Sequence, residues 1–165
     1  MSADEIHGVR VVLAPLRGDD ADQLAGLLDD ATIRGFLGVA HLAGLRRRFA
    51  GWEARRAPHG RQAWLNWIVR ARDGGRALGW VQATVEGPTA SVAYALLPSE
   101  RGRGAASDAV RAMTTWLRAT LDVVDVTASI APDNAASERV ARAAGFHPTA
   151  RWTDGERVWV LEGGR

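Results

Sequence analysis

The segment Arg101-Gly102-Arg103-Gly104-Ala105-Ala106 limits what this chain can become more than any other. It follows an apolar, strand-like run, Val92 to Leu97, and opens straight into a helix-like stretch, Ser107 to Leu121. Small residues at 102, 104, 105 and 106 keep side chains off the backbone, so consecutive N–H groups at a helix N-terminus can point at an anionic oxygen. Arg101 and Arg103 add charge at the rim. The loop reads as a phosphate cradle, and which phosphate-bearing ligand it suits depends on where the unit sits among the other elements.

Those elements alternate in a consistent way. Val9 to Ala14 reads as a strand ended by Pro15, and Asp19 to Asp29 as an amphipathic helix carrying Leu24, Leu27 and Leu28. A second helical stretch is predicted from about His41 to Arg56, stopped by Pro58. An antiparallel meander follows: Trp64 to Arg72, a turn at Asp73-Gly74-Gly75, Arg76 to Val85, a turn at Glu86-Gly87-Pro88-Thr89, then Ala90 to Leu97. In its middle strand Val81, Ala83 and Val85 alternate with Trp80, Gln82 and Thr84, which predicts one core face and one more polar face bordering a site. Val123 to Ile130 returns as a buried strand after the Ser107 helix, so the strand–helix–strand unit implies parallel neighbours joined by a right-handed crossover. Pro132-Asp133-Asn134 turns into a helix, Ala135 to Ala144, closed by Gly145. Strands Thr149 to Thr153 and Arg157 to Leu161 meet at Asp154-Gly155.

With 165 residues, the chain is predicted to form one domain, 1–165, that buries roughly two thirds of its unfolded surface without disulfides or metals. There is no cysteine, hence no disulfide, thiolate zinc site or cysteine nucleophile. Histidines 7, 41, 59 and 147 lack metal-ligand spacing, and no metal is expected. All 21 Lys-plus-Arg positions are arginine, so no lysine can form a Schiff base. The net charge of +2 with dispersed arginines argues against nucleic-acid binding. Arg46 to Arg48 and Arg55-Arg56 read as a solvated helix face or as a rim for an anionic partner. No stretch is long enough to cross a bilayer, and the short polar start, Met1 to His7, predicts a cytoplasmic protein with no membrane partner.

Two nucleotide readings of the loop fail. A dinucleotide fingerprint counted from Gly102 needs glycine where Ser107 stands, and belongs after the first strand of an α/β sheet, not after a meander. A P-loop needs Gly-Lys-Ser/Thr, absent from a chain without lysine. By contrast, Arg101-x-x-Gly104-x-Ala106 between strand and helix resembles the Arg/Gln-x-x-Gly-x-Gly/Ala signature of the GCN5-related N-acetyltransferases (GNAT). Asn134-x-x-Ser137 with Gly145-Phe146 is similar to a second motif, found in the RimJ/RimL-type branch that acetylates ribosomal-protein N-termini. The opening, a strand followed by Pro15-Leu16 and an Asp19-Asp20-Ala21 helix start, looks like that branch too.

The resemblance spans nearly the whole chain and implies a single-domain α/β (α+β) fold: a central mixed, mostly antiparallel sheet of about six to seven strands, its fourth and fifth splayed apart, flanked by about four helices. It implies an acetyl-CoA-dependent N-acyltransferase acting on a primary amine of a small molecule or a protein N-terminus, and it is compatible with a homodimer. The backbone of Gly102, Arg103, Gly104, Ala105 and Ala106 would hold the coenzyme A pyrophosphate, with Arg101 and Arg103 nearby. Amides and carbonyls around Leu96 and Leu97 would pair with the pantetheine arm. Asn134 would lie against that arm, where it is also a good N-cap, and the Ser137 hydroxyl would meet the leaving thiolate or satisfy local backbone. Tyr94 reads as a half-buried strand aromatic or as a catalytic acid. Many members carry a Tyr in the final helix where this chain has Ala141, so Ser137 or water must substitute. The general base stays open among water relayed by Gln82, Ser129 or a carbonyl, and a histidine of the helical region. Trp52, Trp64, Trp67 and Trp80 read as core, or as the lining of an acceptor pocket. A second functional reading is a non-catalytic acyl-CoA-binding domain that senses or recruits.

Overall fold

The computed structural model describes residues 4–54 and 61–163. Its elements in chain order are β1 (Ile6–His7), β2 (Val11–Pro15), α1 (Asp20–Gln23), a 3-10 turn (Ala25–Asp29), α2 (Ala31–Leu37), α3 (Leu42–Glu53), β3 (Ala63–Ala71), β4 (Ala77–Glu86) and β5 (Thr89–Leu96). A second 3-10 turn (Pro98–Glu100), α4 (Ala105–Leu121), β6 (Asp125–Ile130), α5 (Ala135–Ala143), β7 (Phe146–Thr153) and β8 (Glu156–Leu161) complete it. Among the described residues eight strands form one sheet, ordered β1-β2-β3-β4-β5-β6-β8-β7. The β5–β6 pair, the two strands joined through α4, is parallel and the other pairs are antiparallel. This is the mixed, mostly antiparallel sheet expected, extended at its edge by the two-residue β1, which is too short to show a period in sequence.

Each face of the sheet covers its own core. Val81, Ala83 and Val85 of β4 pack with Ala109, Val110, Met113 and Leu117 of α4 and with Ala141 of α5. On the opposite face Trp80 and Ile68 pack with Leu24, Leu27, Ile33, Leu45 and Phe49 from the α1–α3 region. The predicted polar face of β4 is thus apolar at Trp80, which is 1% exposed, while Gln82 and Thr84 are half-buried.

The helical region departs most from the sequence expectation. In place of one helix over Asp19–Asp29, a single turn gives way at Leu24 to the first 3-10 turn. There Gly26 sits so close to Leu97 that a Cβ would lie 3.1 Å from its Cδ2. A further helix, α2, follows, capped by Asp30, whose Oδ1 accepts from the Thr32 and Ile33 amides at 2.9 and 3.2 Å. His41 caps α3 by accepting from the Gly44 amide at 3.2 Å through Nδ1. Arg55, Arg56 and Pro58, named above as the end of that helix, lie outside the described residues.

Candidate active site

The site begins with an opening in the sheet. β5 and β6 pair over three positions, Thr89–Asp125, Ala90–Val126 and Ser91–Thr127, and then part. Hydrogen bonding along β5 tells which groups face the opening. The Leu97 amide donates to the Leu78 carbonyl at 2.9 Å, and β5 runs antiparallel to β4 with Gly79 opposite Leu96 and Val81 opposite Tyr94. Alternate residues therefore spend their amide and carbonyl on β4, while Val92, Tyr94 and Leu96 turn theirs toward β6. This corrects the expectation for Leu97: its amide belongs to the sheet, its side chain packs into the α1–α3 core, and Leu96 is the residue whose backbone faces the gap. Because β1 adds a strand, the splayed pair is the fifth and sixth in chain order.

Gly79 allows the tight pairing of β4 and β5 at the mouth of the opening. A Cβ there would collide with the Ala95 carbonyl and lie 2.8 Å from the Leu96 Cα.

The gap continues into a cleft of about 900 Å³. One end is the glycine loop, where Gly102 and Gly104 both have φ of 80°. Only glycine adopts this cheaply, and the turn it makes brings the chain onto α4 with no side-chain cap on the helix. The first-turn amides of α4 have no intrahelical acceptor, and Gly102, Gly104, Ala106 and Ser107 line the cleft. Ala105 is buried in the core instead, and the Arg103 side chain is 68% exposed with Glu100 3.9 Å away, so neither side chain lines the cleft. The loop is braced from behind by residues that the sequence reading missed. Asp108 accepts from the Val9 and Arg10 amides at 3.2 and 2.8 Å, and Arg10 Nη1 donates to the Arg103 carbonyl at 3.1 Å.

Arg101 reaches across the mouth. Its Nη2 lies 2.7 Å from Asp30 Oδ2, joining the loop to the N-cap of α2. That guanidinium, together with the capping amides, holds the Asp30 carboxyl below the usual range against the opposing effect of burial.

At the other wall stands α5. Asn134 Oδ1 accepts from the Ser137 amide at 3.1 Å, so it is the N-cap, and both residues also line the cleft. The cap uses the carbonyl oxygen and leaves the amide nitrogen as a donor. Tyr94, mostly buried, donates to the Ser137 carbonyl at 2.8 Å. Burial raises its phenol well above the usual value, an effect only partly offset by that bond, so it stays neutral. Ala141 is fully buried in the core against α4 and does not line the cleft.

The far side of the cleft is aromatic. Phe36 of α2, 60% exposed, tilts against Trp80 at 5.8 Å, and Trp52 of α3 stacks behind Trp80 at 5.2 Å. Trp80 is held in orientation by its Nε1–H, which donates to the buried Asn66 Oδ1 at 2.9 Å. Of the other tryptophans, Trp67 is wholly buried on the opposite face and Trp64 packs beside the second core. Ser129 lines the cleft and Gln82 does not. Glu156, at the start of β8, and Arg139 of α5 also line it. The sequence reading did not single out Arg139; Glu156 ends the segment 153–156 that the resemblance implies for the acceptor pocket, with no role given to it.

A sheet prised open beside an uncapped helix N-terminus, with a separate aromatic wall across the cleft, is the architecture of a two-substrate transferase. Solved structures share the fold. A GNAT-family acetyltransferase from Bacillus anthracis matches with a TM-score of 0.78 at 14% identity, over 96% of this chain and 98% of that one. The aminoglycoside acetyltransferase AAC(6')-Ib, solved with paromomycin and acetyl-CoA, gives 0.72 at 20% identity, over 93% of each chain. A protein from Vibrio cholerae assigned as a ribosomal-protein-serine acetyltransferase gives 0.70 at 18% identity, over 98% and 99%. The chain belongs to the GNAT acetyltransferases: the model of the acetyltransferase (GNAT) domain matches residues 10–147. No curated protein sequence matches it. Among the described residues no helix is long and apolar enough to cross a membrane.

Proposed function

We propose that this acetyltransferase moves an acetyl group from acetyl-CoA directly to a primary amine of a small molecule or a protein N-terminus. The observation that carries the reading is the β5–β6 opening with the backbone of Leu96 turned into it, set beside the glycine loop. Bound there, acetyl-CoA supplies the activated thioester.

The chain's own groups fit that role. A Cβ at Gly102 would meet nothing within 4 Å, so the space above the loop is free for a pyrophosphate facing the α4 amides. The backbone groups of Val92, Tyr94 and Leu96 offer a ladder for an amide-bearing arm, as an added strand would. The Leu96 N–H is a donor for a developing oxyanion. Asn134, with its amide nitrogen left over from the cap, and Ser137 line the same space, and in this reading the Ser137 hydroxyl meets the leaving thiolate. Tyr94 acts chiefly by pinning α5 to β5, and through Ser137 it holds that hydroxyl in place.

Asn134, Ser137 and Gly145-Phe146 favour the RimJ/RimL-type branch, as does likeness to the Vibrio cholerae protein. Likeness to AAC(6')-Ib favours small-molecule amines equally well. In this reading the chain is one cytoplasmic domain, and a homodimer is compatible with it.

Thermal unfolding with acetyl-CoA tests the donor. A hundred-fold excess over Kd stabilises by about 2.7 kcal/mol, and no shift at millimolar acetyl-CoA overturns the reading. Coenzyme A release is then measured with peptides bearing a free N-terminal Ser or Ala and with kanamycin. Binding without release from any amine supports the acyl-CoA-binding domain instead.

A further inference from the structure

Among the described residues lining the cleft, Asp30 and Glu156 carry carboxylates. They differ in what they already hold. Asp30 is committed to Arg101 and to two backbone amides. The Glu156 carboxylate has no hydrogen-bond or ion-pair partner among the described residues, although the residue is only partly exposed. Burial, and the Asp154 charge two residues earlier, raise its carboxyl above the usual value. A half-buried carboxylate left without a cation costs stability, so its occupant is worth seeking.

Register shows where it points. Ser129 pairs with Val158 and Ile130 with Arg157. Ile130 and Trp159 belong to the α4 core, so the alternate positions Ser129, Val158 and Glu156 lie on the face that carries Trp80. Trp80 pairs with Ala95. Continued past the last β5–β6 pair, the offset sets Ala95 level with Ala131, and the β6–β8 register sets Ala131 level with Glu156. Trp80 and Glu156 therefore stand on one line across the sheet, on one face, with the opening between them. Three strand spacings separate their backbones, about 14 Å before any splay, and both residues line the cleft.

Building on the acetyl-transfer reading, we propose that Glu156 receives the acceptor's ammonium group, and that the acceptor is a cationic amine whose apolar body lies against the exposed Phe36, which Trp80 backs. The Phe36 ring, 60% exposed, supplies a surface of the kind that apolar bodies and cations both favour, and the carboxylate supplies the charge. An amine bridging the two crosses the opening, where a thioester carried along β5 would meet it. Asp30 cannot compete for the cation while Arg101 neutralises it.

The test measures binding to the full chain saturated with coenzyme A. The probes are phenethylammonium, its neutral counterpart 2-phenylethanol, and methylammonium, which has the charge and no apolar body. In the unaltered protein phenethylammonium is expected to bind at least about tenfold more tightly than either of the others, in line with a hydrogen bond to a charged group. Glu156→Gln brings the amine-to-alcohol ratio to within about twofold, Glu156→Asp keeps part of it, and coenzyme A affinity stays the same in all three proteins. An unchanged ratio in Glu156→Gln, or no preference for the amine in the unaltered protein, overturns the assignment of Glu156. Methylammonium binding as well as phenethylammonium overturns the aromatic half. Failure of the unaltered chain to bind coenzyme A is a different result, and overturns the donor reading on which this one rests.

Discussion

The two ends of the cleft are built from different materials. In the proposed reading the donor end, from β5 through the glycine loop to α4 and α5, presents backbone amides, small side chains and a cap residue. The proposed acceptor end is made of side chains, Phe36 of α2, backed by Trp80 of β4, and Glu156 of β8. A ligand met by backbone needs a local chain conformation and no particular side chains. A ligand met by side chains can be changed by single substitutions while the fold stays. The donor end is thus the part that one fold can keep constant, and the acceptor end the part that it can vary.

Five substitutions would break or sharpen that division. Trp80→Ala has the largest expected effect, because the ring is 1% exposed between Phe36 and Trp52 and packs in the second core. Stability should fall by about 3–5 kcal/mol, read from denaturant unfolding. At low temperature, where the variant remains folded, acetyl-CoA affinity should stay within about threefold. A donor affinity lost in proportion to stability would mean that the two ends are one unit. Trp80→Phe, which keeps a ring and removes the bond to Asn66, should show the same pattern with a smaller loss.

Gly104→Glu strikes the other end. The positive φ costs a side chain about 1–2 kcal/mol, and the carboxylate adds a negative charge to the loop that is proposed to hold the pyrophosphate. Acetyl-CoA affinity should drop at least about a hundredfold while far-UV circular dichroism is unchanged. Gly104→Ala carries the same backbone strain without the charge, and retention of most affinity there would assign the effect to charge. Unaltered affinity in Gly104→Glu sinks the cradle.

Asp30→Asn should have the smallest effect, and it probes the link between the ends. Asparagine can still cap α2 but loses the charge pair with Arg101, for which about 1 kcal/mol or less is expected at a partly exposed site. The sign of the pH effect follows from the depressed Asp30 carboxyl. A group held below its unfolded value, about 3.9, stabilises above that pH and loses its contribution as pH falls through the folded value. The difference in melting temperature between the two proteins should therefore be present at pH 7 and shrink below about pH 4. A difference that persists in acid would assign the effect to capping.

Legibility in the sequence follows the same division. The loop, the meander and its turns, and the Asn134 cap could be read because each depends on residues adjacent in the chain. Asp154-Gly155, with φ of 49° and 80°, is the two-residue hairpin turn that its composition announces. The helix α2 was missed, although Asp30 at its start and Gly38 at φ 65° just past its end are recognisable stop and start signals. Seven residues with Gly35 among them make a weak period. The resemblance puts both Leu96 and Leu97 at the gap, because it locates the strand that opens and not which neighbour each amide faces.

What the chain determined locally is the donor loop and the order of the elements, since a glycine turn, a cap or an alternating strand forms from neighbours within a few residues. The tertiary structure decided the rest. The register of β5 against β4 turned Leu96 rather than Leu97 toward the opening, and the register across β6 and β8 put Glu156 on the face of Trp80, 76 positions away in the chain. These are pairings between distant strands, settled by burial of two cores at once, and no local pattern carries them.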